Sequence, residues 1–470
     1  MTTFTDAVVN QSALTTNGML ARKSTANANL DYFFRATVSR GKDVLPLFVA
    51  AYVEDRELAL RITQWMRDVR GGAGERQVFR NVLVFLVSYD IDAARALMHK
   101  IPEIGRWDDL LVIEGPLKSE AFAMIAQALR AGNQLCAKWM PRQGAKAAEL
   151  HAYMRMTPKQ WRTLLVGLTH VVEQQMCANQ WDTIEFNKVP SVASARYRKA
   201  FGRHTPTFAE YVEKLAAGET TINAGAVYPY DVLKHINVFY AEQTELDHVA
   251  AQWLALPNYV GNASILPMVD VSGSMTTEAA SGVSCLDVAV SLGLYVADKN
   301  RGPFKDTFLT FSSEPQLLHL QGNIVEKVMQ MVTSRWEMST SLDRALDIIL
   351  KTAVEHRVPA AEMPQMLIIL SDMQFNAYEH VANDGTTTPQ SAIEMIATKY
   401  AAAGYQMPAI VFWNLNGAYA NAPVAYDASG VAMVSGFSPV ILKSLLSGAV
   451  DALTPEGIMR RTVMIDRYAL

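Results

Sequence analysis

The sequence predicts an α + α/β chain, with an all-helical first part and a doubly wound, mostly parallel sheet after it. Three observations predict this. Up to about Leu256 the apolar residues recur at helical spacing. From Asn262 onward short β-rich apolar runs alternate with helical patterns, and parallel strands need such crossover helices. The first of those runs, Ile265 to Val269, stops on Asp270-Val-Ser272-Gly-Ser274, so a buried strand delivers hard oxygen atoms to one point.

With 470 residues the chain exceeds one core, and roughly 150 residues per domain suggests two to three units. The expected layout is an N-terminal extension (1–29), a helical module (30–256), an α/β domain (262–450) and a C-terminal tail (451–470), with the main boundary at Pro257-Asn258-Tyr259-Val260-Gly261. In the helical module Leu58, Ile62, Trp65, Met66 and Val69 mark one face of a helix over Glu54 to Arg70. Gly71-Gly72-Ala73-Gly74 ends it. A second pattern restarts at Glu75 and runs through Phe79, Val82, Leu83 and Leu86. Further helices are expected over Ile91 to Lys100, Leu117 to Ala131, Pro158 to Cys177, Pro206 to Ala217 and Tyr230 to Leu256. No fixed-period consensus is visible, yet a succession of short helix pairs suggests a HEAT-like solenoid or ring.

In the α/β domain the expected strands are Ile265 to Val269, Thr307 to Phe311, Met366 to Leu370, Ala409 to Trp413 and Val431 to Val434. Helices are expected between them at Leu286 to Asp298, Ser341 to Thr352 and Ser391 to Ala403. Asn383 to Pro389 and Asn414 to Gly430 are long loops, the second a candidate mobile or partner-contacting segment.

The longest apolar run, Val44 to Val53, is about half the ~20 residues a membrane span needs. The N-terminus lacks the basic flank and apolar core of a signal peptide. Cys136, Cys177 and Cys285 are odd in number and form no C-x-x-C pair, so a reducing, cytoplasmic compartment is expected. The net charge is −4, which by itself argues against a nucleic-acid binder. Yet Arg130 to Arg203 holds twelve basic residues against four acidic ones. Such an excess is either a phosphate-binding face or a solvated surface balanced by other segments.

Asp270, Ser272 and Ser274 follow the first strand, Thr340 precedes a helix, and Asp372 follows the strand Met366 to Leu370. Open α/β sheets collect ligands where strand ends meet, and carboxylates with hydroxyls suit Mg²⁺ or Mn²⁺. Taken alone, D-x-S-x-S could equally be a loop whose side chains cap the next helix. The three ordered loops resemble the metal-ion-dependent adhesion site (MIDAS) of the von Willebrand A family, whose domain is a Rossmann-like sheet. That resemblance implies direct binding by Ser272, Ser274 and Thr340, with Asp270 and Asp372 acting partly through water, and an open position for an acidic group of a protein partner. Met338-Ser339 stands where the family usually has glycine.

Arg67-Asp-Val-Arg-Gly-Gly-Ala-Gly-Glu-Arg76, Gly105-Arg-Trp-Asp-Asp-Leu110, Lys138-Trp-Met-Pro141 and Lys188-Val-Pro-Ser191 resemble, in this order, a family with plant, bacterial and phage members that is similar to the TROVE module of the Ro ribonucleoprotein. The resemblance implies a HEAT-repeat ring closed by a von Willebrand A domain and, with it, RNA binding. Lys138, Arg142, Arg196, Arg198 and Lys199 are then candidate RNA contacts. Trp139, Tyr153, Trp161 and Tyr197 could stack bases, although a Trp on a helical pattern is more often core. Arg67, Arg70 and Arg76 either bind phosphate or bridge to Asp68, Glu75, Asp108 and Asp109; the second reading is favoured. No Gly-Lys-Ser/Thr follows the glycine turn, so it is not a P-loop. The expected function is an RNA-binding scaffold with a metal-dependent partner site. The alternative is an interaction or assembly module that binds no nucleic acid. No general base or nucleophile stands beside Asp270 and Asp372, and His170, His204 and His235 lack metal-ligand spacing, so an enzyme is not expected.

Overall fold

The computed structural model describes residues 12–15, 20–39, 43–234, 236, 238–280, 282–311, 315–333, 342–375, 389–417, 421–447 and 453–470. The first part is a run of short helices: α1 (Ala28–Ala36), α2 (Leu45–Glu54), α3 (Arg56–Arg67), α4 (Gln77–Tyr89), α5 (Ile91–Ile104), α6 (Lys118–Arg130), α7 (Gln134–Trp139), α8 (Ala145–Tyr153), α9 (Pro158–Leu168), α10 (Val172–Cys177), α11 (Ser191–His204), α12 (Thr207–Ala216), α13 (Pro229–Leu233) and α14 (Gln243–Leu254). Their starts follow from local chemistry. Asn27, Asp55, Asp90 and Asn133 accept a backbone N–H from the first turn of α1, α3, α5 and α7. Thr157 and Gln160 cap α9 reciprocally, with Pro158 at its first position.

Two expected long helices are broken in the structure. Tyr230 to Leu256 divides into α13 and α14, and the Arg198 guanidinium caps the Lys234 carbonyl just past the end of α13. Pro158 to Cys177 divides at Thr169, where Val172 leaves the main core and joins a small separate one with Phe186, Phe201 and Phe208. The glycine turn also differs: α3 ends already at Arg67, and the chain folds back along its last turn. Ala73 N and Glu75 N donate to Trp65 O and Met66 O. A Cβ at Gly72 would stand 1.9 Å from Trp65 O, so only glycine allows this approach.

The second part holds a six-stranded sheet: β1 (Ile265–Asp270), β2 (Thr307–Phe311), β3 (Leu317–His319), β4 (Met366–Ser371), β5 (Ala409–Asn414) and β6 (Val431–Ser435). The strand order is β6-β5-β4-β1-β2-β3, parallel except for the edge strand β3, which pairs antiparallel with β2. This is the doubly wound layout the alternation predicts. Every residue of β1, β4, β5 and β6 is buried, the continuous apolar pattern of strands covered on both faces. The covering helices are α15 (Cys285–Lys299), α16 (Ile324–Thr333), α17 (Leu342–Glu355) and α18 (Pro389–Ala402), followed by α19 (Leu442–Leu446) and α20 (Pro455–Val463). The edge strand β3 and the helices α1, α2, α7, α8, α11, α16, α19 and α20 are additions to the expected elements.

The helical run meets the sheet part at both of its ends. α13 packs on α15 and α14 on α16, while α1 packs on β6 and α20 packs on α3. From the segment 451–470, expected as a tail, described residues touch the helical part: Arg467 and Tyr468 bond to Asp68, and Gln64 Nε2 donates to Tyr468 O at 2.9 Å. In the loop Asn414 to Gly430, expected as a candidate mobile or partner-contacting segment, described residues bond to the N-terminal segment. Arg22 and Ala422 exchange backbone bonds, Tyr426 N donates to Thr25 O, and Val424 is fully buried. Among the described residues no helix is long and apolar enough to cross a membrane.

Candidate metal centre

The register that pairs Val269 with Leu370 sets the ends of β1 and β4 side by side, bringing Asp270 and Ser371 together and Asp372 one residue beyond. From β1 the chain continues to β2 on one side, and from β4 to β5 on the other, so the crevice lies where the order reverses. Asp270 and Asp372 are both fully buried there. Ser371 Oγ donates to Asp270 Oδ2 at 2.5 Å, and the Ser272 N–H donates to Asp270 Oδ1 at 2.9 Å. The Ser272 and Ser274 hydroxyls lie 3.0 Å apart. Ser272 precedes a short 3₁₀ turn, Gly273–Thr276, yet its hydroxyl makes no cap bond. The side chains of the D-x-S-x-S loop therefore face one another rather than the next helix.

Electrostatically the pair is under strain. Burial pushes both carboxyls up from the ordinary aspartate range, and the charge of Asp372 pushes Asp270 further. The Ser371, Ser272, Ser274 and Gln374 donors offset this only partly. Among the described residues Asp372 Oδ2 is buried with no hydrogen-bond partner, and no Lys or Arg pairs with either carboxylate. Two carboxylates and two hydroxyls, all hard oxygens and short of positive charge, fit a small divalent cation such as Mg²⁺ or Mn²⁺. Among the described residues no three His, Cys, Asp or Glu side chains gather as they would around zinc. Thr340 lies outside the described residues.

Ser371 is the site residue that sequence reasoning missed. Its signal was present, since Met366-Leu-Ile-Ile-Leu-Ser371-Asp372 places a hydroxyl at the last position of the buried strand. Met373 follows in the left-handed region (φ 64°), and its N–H donates to Ser371 Oγ.

The candidate RNA contacts divide. Arg142, Arg196 and Lys199 are exposed, and Lys138 is half-buried with its ammonium 5.5 Å from the Trp139 ring centroid. Arg198 does not join them. It is 3% exposed, and its guanidinium donates to Glu245 Oε1, Ala195 O and Lys234 O, which fixes α11 to α13 and α14. Of the aromatics, Trp161 is core and bonds Pro141 O, and Trp139 is covered by the Arg106 guanidinium at 3.5 Å. Half-buried Tyr197 donates to Glu173, while Tyr153 is exposed. Arg67 packs as favoured, in a buried ion pair with Asp109 at 2.7 Å, which Arg80 shares. Arg70 reaches the Glu103 carbonyl. His170 is exposed, His204 stacks on Trp181 at 4.3 Å, and His235 lies outside the described residues. Ser194 and His248 are hydrogen-bonded at 2.9 Å in the interior, and burial pushes the imidazole down to about 3.

Two family models match the chain. One, a domain of unknown function (DUF2828), matches residues 121–263, and another (DUF7788) matches residues 264–463. An uncharacterised protein of Acanthamoeba polyphaga mimivirus is 28% identical over 499 residues, covering 93% of this chain and 84% of that protein. The Ro (RSR) protein of Deinococcus radiodurans aligns in structure at 15% identity and a TM-score of 0.46, covering 94% of this chain and 100% of that one.

Proposed function

We propose that this chain is an RNA-binding scaffold of the Ro type. Its helical part takes phosphate groups, and its sheet part holds a divalent cation in a von Willebrand A-like site for an acidic protein partner. The observation that carries the RNA reading is a contrast in pairing. From Arg56 to Arg106, six arginines (Arg56, Arg61, Arg67, Arg80, Arg95 and Arg106) form ion pairs, and among the described residues exposed Arg70 and Arg76 do not. From Arg130 to Arg203, by contrast, Arg130, Arg142, Arg155, Lys159, Arg162, Arg196 and Arg203 are exposed and form none among the described residues. Cations that no carboxylate neutralises are available to phosphates, which supply most sequence-independent affinity.

Asp270, Ser272 and Ser274 would hold the metal, with Asp372 behind them. A bound cation would supply an electrophilic centre for a partner's carboxylate. This chain's own residues set the geometry, since Ser371 and the Ser272 N–H orient Asp270.

Anisotropy of a labelled single-stranded RNA across a salt series tests the RNA reading. Parent affinity should fall steeply with salt. The combined Arg142→Glu, Arg155→Glu, Arg162→Glu and Arg196→Glu variant should bind far more weakly, with a salt slope shallower by about 3. RNA affinity unchanged by both salt and charge reversal would sink the reading. A partner pull-down that needs Mg²⁺ and is lost in Asp270→Ala would then favour an interaction module that binds no nucleic acid.

A further inference from the structure

We infer that the N-terminal segment, Thr15 together with residues 20–39, is a positioning strap for the metal-facing loops at the carboxyl ends of the sheet. The inference rests on the metal reading given above. Thr15 Oγ1 donates to Phe375 O at 2.7 Å in the interior, three residues beyond Asp372. Phe375 is 1% exposed and packs with Met373, Phe34, Ala422 and Val424 in one core, so α1 and the Asp372 loop share their apolar contacts. The loop after β5 is held from the same segment: Gly417 N donates to Val38 O, and a Cβ on Gly417 would stand 2.6 Å from that oxygen. At the end of β6, Thr37 Oγ1 meets Ser435 Oγ at 2.5 Å, and Ser435 Oγ reaches Phe33 O. One stretch of chain therefore ties down the loops after three adjacent strands, β4, β5 and β6.

The Asp372 loop needs such a tie. Met373 holds a left-handed conformation that is unfavourable for a residue other than glycine. It persists only where surrounding contacts over-determine it. Inside the loop the Ser371 hydroxyl and the Asp372 carboxylate take the N–H groups of Met373 and Gln374. From outside, Thr15 takes the Phe375 carbonyl, while the Phe375 ring packs at 5.7 Å on Phe412 of β5 in the core that Phe34 of α1 also joins. Releasing Thr15 leaves that carbonyl without its buried donor, and the turn that aims Asp372 at the crevice can relax.

Two variants test this from opposite ends. Thr15→Val removes the donor at nearly constant volume, and Gly417→Ala wedges the segment off its loop at Val38. Hydrogen exchange of residues 371–375 reports the loop, Mn²⁺ titration followed by electron paramagnetic resonance reports the site, and near-ultraviolet circular dichroism reports the fold. In both variants, at parental fold signal, exchange of 371–375 should quicken about fivefold, the equivalent of one lost hydrogen bond. Mn²⁺ affinity should fall by a similar factor, and Thr15→Ser should restore both. Unchanged exchange in folded Thr15→Val and Gly417→Ala overturns the strap. Faster exchange with parental Mn²⁺ affinity overturns its positioning role. A parent chain that binds no Mn²⁺ instead overturns the metal reading, and the exchange result then reports packing alone.

Discussion

Two groups of buried carboxylates, one in each part of the molecule, meet the same desolvation and resolve it in opposite ways. In the helical part Asp68 is fully buried and Asp108 largely so, and burial alone would push both up. Arg467 beside Asp68, and Arg106 and Arg80 beside Asp108, outweigh that burial and hold both carboxyls below the usual range. In the crevice at the ends of β1 and β4, Asp270 and Asp372 find only hydroxyls and backbone N–H groups among the described residues, and both are pushed up. A carboxylate facing a guanidinium is glue between elements. A buried pair without any cation is a site that lacks its counter-charge.

The comparison can be broken most severely at Arg67. Its side chain is 1% exposed against an Asp109 at 0%, so Arg67→Ala leaves a buried charge with Arg80 and the Arg106 N–H as its remaining partners. The expected loss is about 3 kcal/mol, read from the urea unfolding midpoint. A loss below about 1 kcal/mol would remove the network from the account of stability.

Asp372→Asn should behave in the opposite sense. Without metal the variant should be at least as stable as the parent, since a neutral amide replaces one member of a repelling pair. The parent alone should gain about 2.7 kcal/mol when Mg²⁺ reaches a hundred times its dissociation constant. Thermal unfolding with and without Mg²⁺ separates the cases. A destabilised Asp372→Asn and a parent indifferent to Mg²⁺ would make the two regions alike.

The smallest effect is expected at Arg467. Its side chain is 31% exposed, so solvent weakens its pairing with Asp68, and Tyr468 Oη remains on the same carboxylate at 3.0 Å. Arg467→Ala should cost about 1 kcal/mol in urea unfolding. A loss as large as that of Arg67→Ala would show that the C-terminal residues govern the whole helical network.

What was legible in the sequence follows from how local each signal is. The five parallel strands were readable because buried strands are continuous apolar runs, and Thr307 to Phe311 stands as read. Asp270, Ser272, Ser274 and Asp372 were readable because strand ends carry their own polar residues. Distant partners were not. Arg198 looks like a surface cation on a basic stretch, and only the fold shows Glu245, Ala195 and Lys234 closing around it. The same contact sits where the expected helix over Tyr230 to Leu256 is interrupted, a tertiary feature that helical periodicity does not carry. Ser191 to His204 escaped for a related reason: its apolar stripe is thin, and Arg198 sits where an aliphatic residue would announce the buried face.

The docking of the C-terminal residues on α3 has a temporal meaning. The turn at Asp68 leaves the ribosome early, but Arg467 follows it by 399 residues. Until then that carboxylate lacks the guanidinium that balances it in the folded protein. Helices α3 to α5 thus wait for a contact made only after the whole sheet has been synthesised, and a chain stopped between β6 and Arg467 would leave Asp68 buried without its counter-charge.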